Sequence, residues 1–472
     1  MNLPDSLERP PLEAPKATAS VDRRRLALNA VCFGFFLVVL DTTALNVAIP
    51  DLHLELGGTI TSLQWVLNSY TLVFASLLLT CGAVGDRIGA RRFYQLGLGL
   101  FCAASLLCAL APGLGALIGL RVLQGLGAAI MLPASLSLLS HIFPDPDERA
   151  RAVAHWAAVV SLAFAAGPVA GGVLTHFLGW RSIFWMNVPV SLGALAIVRA
   201  FVHEDHGAAA SGKVRRIDWT GQLLVTLALF GLSYALTEAG HQGWSAPAIL
   251  GSFGAAFLLV AIFMATERRS SAPVLPPALF ANRTFSICVA AGLVLNFGIY
   301  GILFVESLYL QNVRHLDSLN AGLMLLPLTV LPTITTRLIV RYSACRYLKR
   351  RMLAGFAIGV SGAAVLMLSL AGGGYAAILI GLGLMGVSLG CLMPAVTTGV
   401  LASAPTSQSG VASGILNSSR QVGGTLAVAL MGSLFQIRAG QGLLISFLLV
   451  LALFLLMAMI AFRFMPKPNS AP

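Results

Sequence analysis

About fourteen apolar runs of roughly 20 residues, the length that crosses a bilayer core, divide this chain from end to end. They start near Leu26, Leu63, Phe93, Gly115, Ala152, Ser182, Thr220, Ala246, Phe285, Ala321, Met352, Tyr375, Gly410 and Leu443. In hydrocarbon every backbone N–H and C=O has to be satisfied within the protein, which restricts such runs to helices. The expected fold class is therefore an all-α polytopic membrane protein. Composition agrees, with 57% hydrophobic and only 10% charged residues and a mean hydropathy of +0.86. The connecting loops are too short for a soluble catalytic domain, and the longest polar stretch, 203–218, reads as a solvated linker. Residues 1–22 are polar and rich in Pro and Ala, as in a disordered tail, and the first span reads as an uncleaved anchor.

Lys and Arg fall mostly on one side of this pattern. Arg23 to Arg25, Arg87, Arg91, Arg92, Arg149, Arg151, Lys213, Arg215, Arg216, Arg268, Arg269, Arg283, the cluster from Arg346 to Arg351, Arg463 and Lys467 share a side. Only Arg181, Arg314 and Arg438 fall on the other. Short cytoplasmic loops retain positive charge, so both termini are expected in the cytoplasm, in a multi-pass protein of the inner cell membrane. The net charge of +12 then reflects topology and anionic lipid, not nucleic acid. Seven cysteines lie almost wholly within spans without paired spacing, and the eight histidines are scattered; neither disulfides nor a metal site is expected. A phosphate-binding Gly-x-x-x-x-Gly-Lys-[Ser/Thr] loop does not occur, which disfavours ATP as the energy source.

Ionisable residues inside a membrane are functional candidates by default. Asp41 lies in the first span and Arg121 in the fourth. Counting from the breaks at Pro50 and Pro112 places each roughly 13 Å below the outer surface at 1.5 Å per residue. Opposite charges at one depth form either a structural ion pair or a proton site. In the second case burial favours the neutral carboxyl and a guanidinium favours the charged one, so a change in water access moves a proton. Glu306, near the outer end of the ninth span, reads either as a site for a cationic substrate or second proton, or as a surface carboxylate. Arg420, among glycines, reads as a tether to backbone carbonyls or as a cavity residue.

Two motifs shape the backbone. Gly82-Ala83-Val84-Gly85-Asp86-Arg87-Ile88-Gly89-Ala90-Arg91-Arg92 forms a tight turn between the second and third spans. Its glycines permit close helix approach and its charges suit a latch. Gly167-Pro168-Val169-Ala170-Gly171-Gly172 sits inside the fifth span, where proline removes a ladder bond and Gly167 and Gly171 clear one face for a neighbouring backbone.

With Arg121 and Gly125, these motifs resemble the three signatures of the major facilitator superfamily. The first-span Asp41, Asn46 and Pro50 fit its fourteen-span drug/proton antiporter branch, which includes methylenomycin-resistance exporters. So do Trp180-Arg181 with Phe184 and Asn187-Val188-Pro189, and Ser413-Gly414 with Asn417 and Arg420-Gln421-Val422-Gly423-Gly424. The resemblance covers the chain after the tail. It implies a major facilitator fold of two six-helix halves, 23–203 and 271–466, with two additional helices inserted within 204–270 and a short tail at 467–472. It also implies proton coupling at Asp41 and Arg121, a cytoplasmic gate at Gly82, Gly85, Asp86, Arg87, Gly89, Arg91 and Arg92, and an antiport motif at Gly167, Pro168, Gly171 and Gly172. Ala90 departs from the usual basic residue of the gate. The second-half counterpart, 337–351, lacks an acid and the glycine spacing.

The expected function is proton-driven export of small amphipathic toxic compounds or antibiotics, by a monomer that needs no cofactor beyond the proton-motive force. A dedicated exporter of one metabolite or antibiotic is the alternative, and a membrane-embedded enzyme or sensor a distant one. Aromatic residues are expected to line a drug cavity, namely Phe35, Phe36, Trp65, Tyr70, Phe297 and Tyr300. Asn46, Asn296, Glu306, Asn417, Arg420 and Gln421 are the polar candidates for its wall.

Overall fold

In the computed structural model the described residues are 16–202, 218–270, 273–339, 347–405, 408–437 and 439–465. These residues are helical and contain no strand. The helices are α1 (Lys16–Leu56), α2 (Ile60–Ile88), α3 (Ala90–Ala109), α4 (Leu114–Ile142), α5 (Pro146–Leu178), α6 (Arg181–Phe201), α7 (Trp219–Gln242) and α8 (Pro247–Glu267). A short α9 (Pro277–Phe280) leads to α10 (Arg283–Leu308), α11 (Ser318–Met324), α12 (Leu326–Ile339), α13 (Leu348–Leu368), α14 (Gly374–Ser403), α15 (Ser409–Phe435) and α16 (Ala439–Phe464). The helix α1 begins inside the segment expected to be a tail, whereas the expected linker falls almost entirely outside the described residues.

Twelve stretches are long and apolar enough to cross a membrane. One of them, Leu348–Ser403, is 56 residues long and folds back on itself. Gly372 and Gly374, at φ 102° and 59°, make the reversal between α13 and α14 in a region that residues with a Cβ rarely adopt. The helix α15 is the remaining span; Asn417, Arg420 and Gln421 make its centre more polar. The expected fourteen spans are therefore all present, α11 and α12 together forming one.

Local chemistry places the helix starts. Asp145 accepts from the amides of Asp147 and Glu148 at 3.0 and 2.9 Å, with Pro146 opening α5. Asp218 caps α7 through the Gly221 amide at 2.8 Å, and Asp317 caps α11 through the Asn320 amide at 2.8 Å. Gly89, at φ 98°, is at once the end of α2 and the cap of α3, which compresses that connection to a single residue.

The packing repeats. In the first half α1 lies on α5 and α6, α2 on α4, and α3 on α4 and α6. In the second half α10 lies on α15 and α16, α12 on α14, and α13 on α14 and α16, the same set of pairings. The halves meet along α2 with α15, α5 with α11 and α12, and α1 with α10. The inserted α7 packs on α2 and α15, over one of these seams, while α8 packs on α7.

An even number of spans brings both ends of the described chain to one face, here termed proximal. The opposite, distal face is closed. There Ser307 donates to the Asn46 carbonyl at 2.9 Å and Gln311 to the Val47 carbonyl at 2.9 Å. Gln64 donates to the Val428 and Ala429 carbonyls at 2.7 and 2.8 Å, Gln436 to Thr61 at 3.3 Å, and Ser318 to Asp51. His176 lies 3.6 Å from Asp317. The apolar core follows the same division. The distal parts of α1, α2 and α4 share one continuous core with the second half, whereas the proximal part of the first half forms a separate core.

Candidate functional site

Gly125 sets up the site. A Cβ there would stand 2.5 Å from the Tyr70 carbonyl oxygen, so only glycine lets α2 approach α4 this closely. That approach lays the guanidinium of Arg121, one turn earlier, 4.2 Å above the Tyr70 ring and lets its Nε donate to the Val66 carbonyl at 3.1 Å. Nη1 donates to Gln124 Oε1 at 2.7 Å and to Asp41 Oδ2, completing an ion pair whose two side chains are fully buried.

Asp41 is held on every side. Its Oδ1 accepts from Gln124 Nε2 at 3.1 Å and from Asn187 Nδ2 at 3.0 Å, and both amides also reach the Ser105 hydroxyl, at 3.0 and 3.4 Å. Four helices, α1, α3, α4 and α6, thus contribute to one buried network. Pairing with several additional hydrogen bonds offsets the desolvation of the two charges; removal of one member would leave its partner exposed to that penalty.

On its other side Arg121 lines a small cavity between the halves. The wall is completed by Thr42 and Asn46 of α1, Leu67 and Thr71 of α2, Tyr300 of α10, and Gln421, Gly424 and Val428 of α15. Its volume is about 20 Å³, about the space of one ordered water, so the halves are nearly in contact at this level.

The expected cavity residues divide accordingly. Asn46, Tyr300 and Gln421 do line it. Trp65 does not: its indole donates to Glu238 of α7 at 3.0 Å and its ring lies against Phe230 and Tyr234. Phe35 stacks on Trp156 of α5 at 5.2 Å, within the first half. Tyr70 donates to the Val38 carbonyl at 3.2 Å and supports Arg121 from behind. Phe36, Phe297, Asn296 and Asn417 are also off the wall. Arg420 donates to the Met393 carbonyl at 3.3 Å and the Thr397 hydroxyl at 2.9 Å, tying α15 to α14.

Glu306 is fully buried on α10, and neither carboxyl oxygen has a hydrogen-bond partner. It is not a surface carboxylate, and it is not on the cavity wall. Its neighbour in sequence, Ser307, makes the distal bond to α1, and a π-helical turn, Tyr309–Val313, follows it.

The motif glycines stand at backbone contacts. A Cβ at Gly167 would meet Thr43, and at Gly171 the Ala44 backbone, so the fifth span lies directly on α1. A Cβ at Gly172 would stand 2.5 Å from the Ser318 carbonyl oxygen of the other half, and one at Gly322 would strike the Pro168 carbonyl. In the proximal turn, Gly85 lies against the Phe93 ring and Gly82 against Pro133, while Arg91 donates to the Arg199 carbonyl at the end of α6 at 2.9 Å. The Asp86 side chain lies outside the described residues. Ser105, Gln124 and Asn187 went unassigned in the sequence. Gln124 is signalled by its place three residues after Arg121, on the same helix face, and Asn187 by its place in the Asn187-Val188-Pro189 run that carries part of the family resemblance.

The model of the Major Facilitator Superfamily matches residues 31–428. Among curated proteins, the methylenomycin A resistance protein of Bacillus subtilis is 36% identical over 447 residues, 94% of each chain. Its counterpart in Streptomyces coelicolor is 34% identical over 94% of this chain and 92% of its own. The multidrug resistance protein Stp of Mycobacterium tuberculosis is 34% identical over 86% of this chain and 75% of its own. Among solved structures, a peptide transporter, POT, superposes with a TM-score of 0.67 at 16% identity, covering 92% of this chain and 94% of that one. The human organic anion transporter MFSD10 (TETRAN) gives 0.63 at 15% identity, covering 93% and 99%.

Proposed function

This chain belongs to the major facilitator superfamily, a family of membrane transporters, and we propose that it exports small toxic compounds or antibiotics across the cytoplasmic membrane in exchange for protons. The observation that carries the reading is the buried Asp41–Arg121 pair, with its arginine on the wall of the cavity between the halves. Export as the direction is supported by the resistance proteins to which the chain is similar.

The mechanism is alternating access about the central cavity, with the proximal face toward the cytoplasm. Proton entry at Asp41 from outside would remove its charge and release Arg121, and deprotonation toward the cytoplasm would restore the pair. One proton moving inward releases about 2.3 kcal/mol per 100 mV and roughly 1.4 kcal/mol per pH unit, enough for steep substrate gradients. Glu306 is the second protonation site in this scheme: a buried carboxylate without a donor is costly as an anion, and the residue is not among those that line the cavity. A dedicated exporter of one antibiotic is the second reading, favoured by relatives named for methylenomycin A alone.

The test is the purified protein in liposomes under an imposed pH gradient, with candidate compounds added. Substrate-dependent loss of the gradient that disappears in Asp41→Asn supports the reading. Transport that proceeds at the same rate after the proton gradient is collapsed with an ionophore refutes proton coupling.

A further inference from the structure

We propose that the cavity beside Arg121 selects small, oxygen-rich molecules presenting a carbonyl or carboxylate acceptor, and discriminates against organic cations. This deepens the export reading and rests on it. The guanidinium of Arg121 is fully buried and lines the cavity. Its Nε and Nη1 are taken by Val66, Asp41 and Gln124, but Nη2 has no partner. On α1, Asn46 spends its amide N–H on the Thr42 carbonyl at 2.7 Å and leaves Oδ1 without a donor. The Thr42 and Thr71 hydroxyls are committed to the Val38 and Leu67 carbonyls, at 2.8 and 3.3 Å. Among the described residues, the fully buried side-chain atoms of the wall left without a partner are thus one charged donor, Arg121 Nη2, and one neutral acceptor, Asn46 Oδ1.

The wall holds no acidic residue. Asp41 has both oxygens occupied by side-chain N–H groups, and Glu306, six residues beyond Tyr300 on α10, is not among the lining residues. A cation entering here would lose its hydration beside a guanidinium and find no carboxylate in exchange. A carbonyl or carboxylate oxygen would instead complete the hydrogen bonding of Nη2, a charge-assisted bond stronger than one between neutral groups. A hydroxyl or amide on the same molecule would satisfy Asn46. The arrangement also gives the proton a means to oppose the substrate. Asp41 and Gln124 hold the guanidinium through Nη1, and a proton on Asp41 releases that hold, so each ligand weakens the other's site.

The experiment uses the full chain in liposomes with a pH gradient, adding chloramphenicol (a neutral amide), fusidic acid (a carboxylic acid), ethidium or tetraphenylphosphonium. Chloramphenicol or fusidic acid is expected to dissipate the gradient and the two cations are not. Asn46→Asp, which adds the missing carboxylate to the wall, is expected to raise ethidium-driven proton flux about tenfold or more, the order of effect of an opposite charge in a poorly screened site. Gln421→Glu makes the same test from α15 if the first variant does not fold. Wild-type protein that moves the cations as fast as the oxygen-rich probes overturns the selectivity, as do folded carboxylate variants with unchanged ethidium flux. A gradient that none of the four probes dissipates overturns this selectivity and favours the dedicated exporter of a single compound, whereas export itself fails only if no proton flux accompanies any substrate.

Discussion

Gln64 on α2 reaches across the seam to the last turns of α15, where its amide donates to both the Val428 and Ala429 carbonyls. A Cβ at Gly432, one turn further, would collide with that amide. The distal closure thus depends on a long polar side chain meeting a residue that has none. Gln64→Leu removes two hydrogen bonds, each worth about 1 kcal/mol, and is expected to shift the population toward a distally open form. Spin labels at positions 54 and 313, whose side chains are 83% and 40% exposed, would report the change as a longer distance distribution than in the unsubstituted protein.

For the Asp41–Arg121 pair, single and double substitutions should not add. Arg121→Met alone leaves a buried carboxylate with only amide donors and is expected to cost about 3–5 kcal/mol. Asp41→Leu combined with Arg121→Met removes both charges and should recover most of that loss while leaving proton-coupled transport absent. Thermal unfolding in detergent gives the first quantity and liposome flux the second. Additive destabilisation in the double variant would contradict the pairing.

Glu306 should behave in the opposite way from Asp41. Since neither of its oxygens has a donor, Glu306→Met is expected to stabilise the protein by about 1–3 kcal/mol, the penalty of an unsatisfied buried polar group. Glu306→Gln should retain substrate binding and carry fewer protons per substrate exported, measured as the ratio of proton to substrate flux. A lower Tm for Glu306→Met together with an unchanged flux ratio for Glu306→Gln would remove the residue from the mechanism.

Glycine positions in these helices are not equivalent. Gly172→Ala would press a methyl group against the Ser318 carbonyl across the seam, whereas the space around Gly99 on α3 is open. Gly99→Ala is expected to be stabilising by about 0.5–1 kcal/mol through helix propensity. Gly172→Ala should loosen α5 from α11 and slow transport, with the same distal spin labels moving apart.

The sequence carried the spans and the depth of the central pair with little loss. Run length alone located all fourteen starts, and counting residues from Pro50 and Pro112 put Asp41 and Arg121 at one level, where they meet. Direction around the helix was not legible to the same degree. In a soluble helix the apolar stripe marks the core; in a membrane bundle the lipid face and the packed face are both apolar. Aromatic character alone therefore puts Trp65 and Phe35 on the cavity wall, whereas Trp65 turns to α7 and Phe35 to α5. Tyr70 was placed there too, yet it serves as the floor under Arg121. Arg420 was better constrained, since a charged group among glycines has only nearby carbonyls and hydroxyls to bond, and Met393 and Thr397 supply them. The burial of Glu306 depends on how α10 is surrounded by the second half, which no local pattern encodes.

Among the described residues, the hydrogen bonds from α7 to other helices go to α2: Glu238 receives the Trp65 indole, Thr237 receives the Asn68 amide at 3.3 Å, and Gln222 bonds Thr80 and the Ser76 carbonyl. Toward α15 the described contact is packing, with Gly240 against Ser433 and Gln436. In the alternating access proposed for this chain, the α7–α8 hairpin would therefore travel with the first half and slide over the second, like a shutter fixed along one edge. One seam between the halves is thus roofed from the bilayer by α7 and the other, where α5 meets α11 and α12, carries neither inserted helix, so the two flanks of the protein present unlike surfaces to lipid.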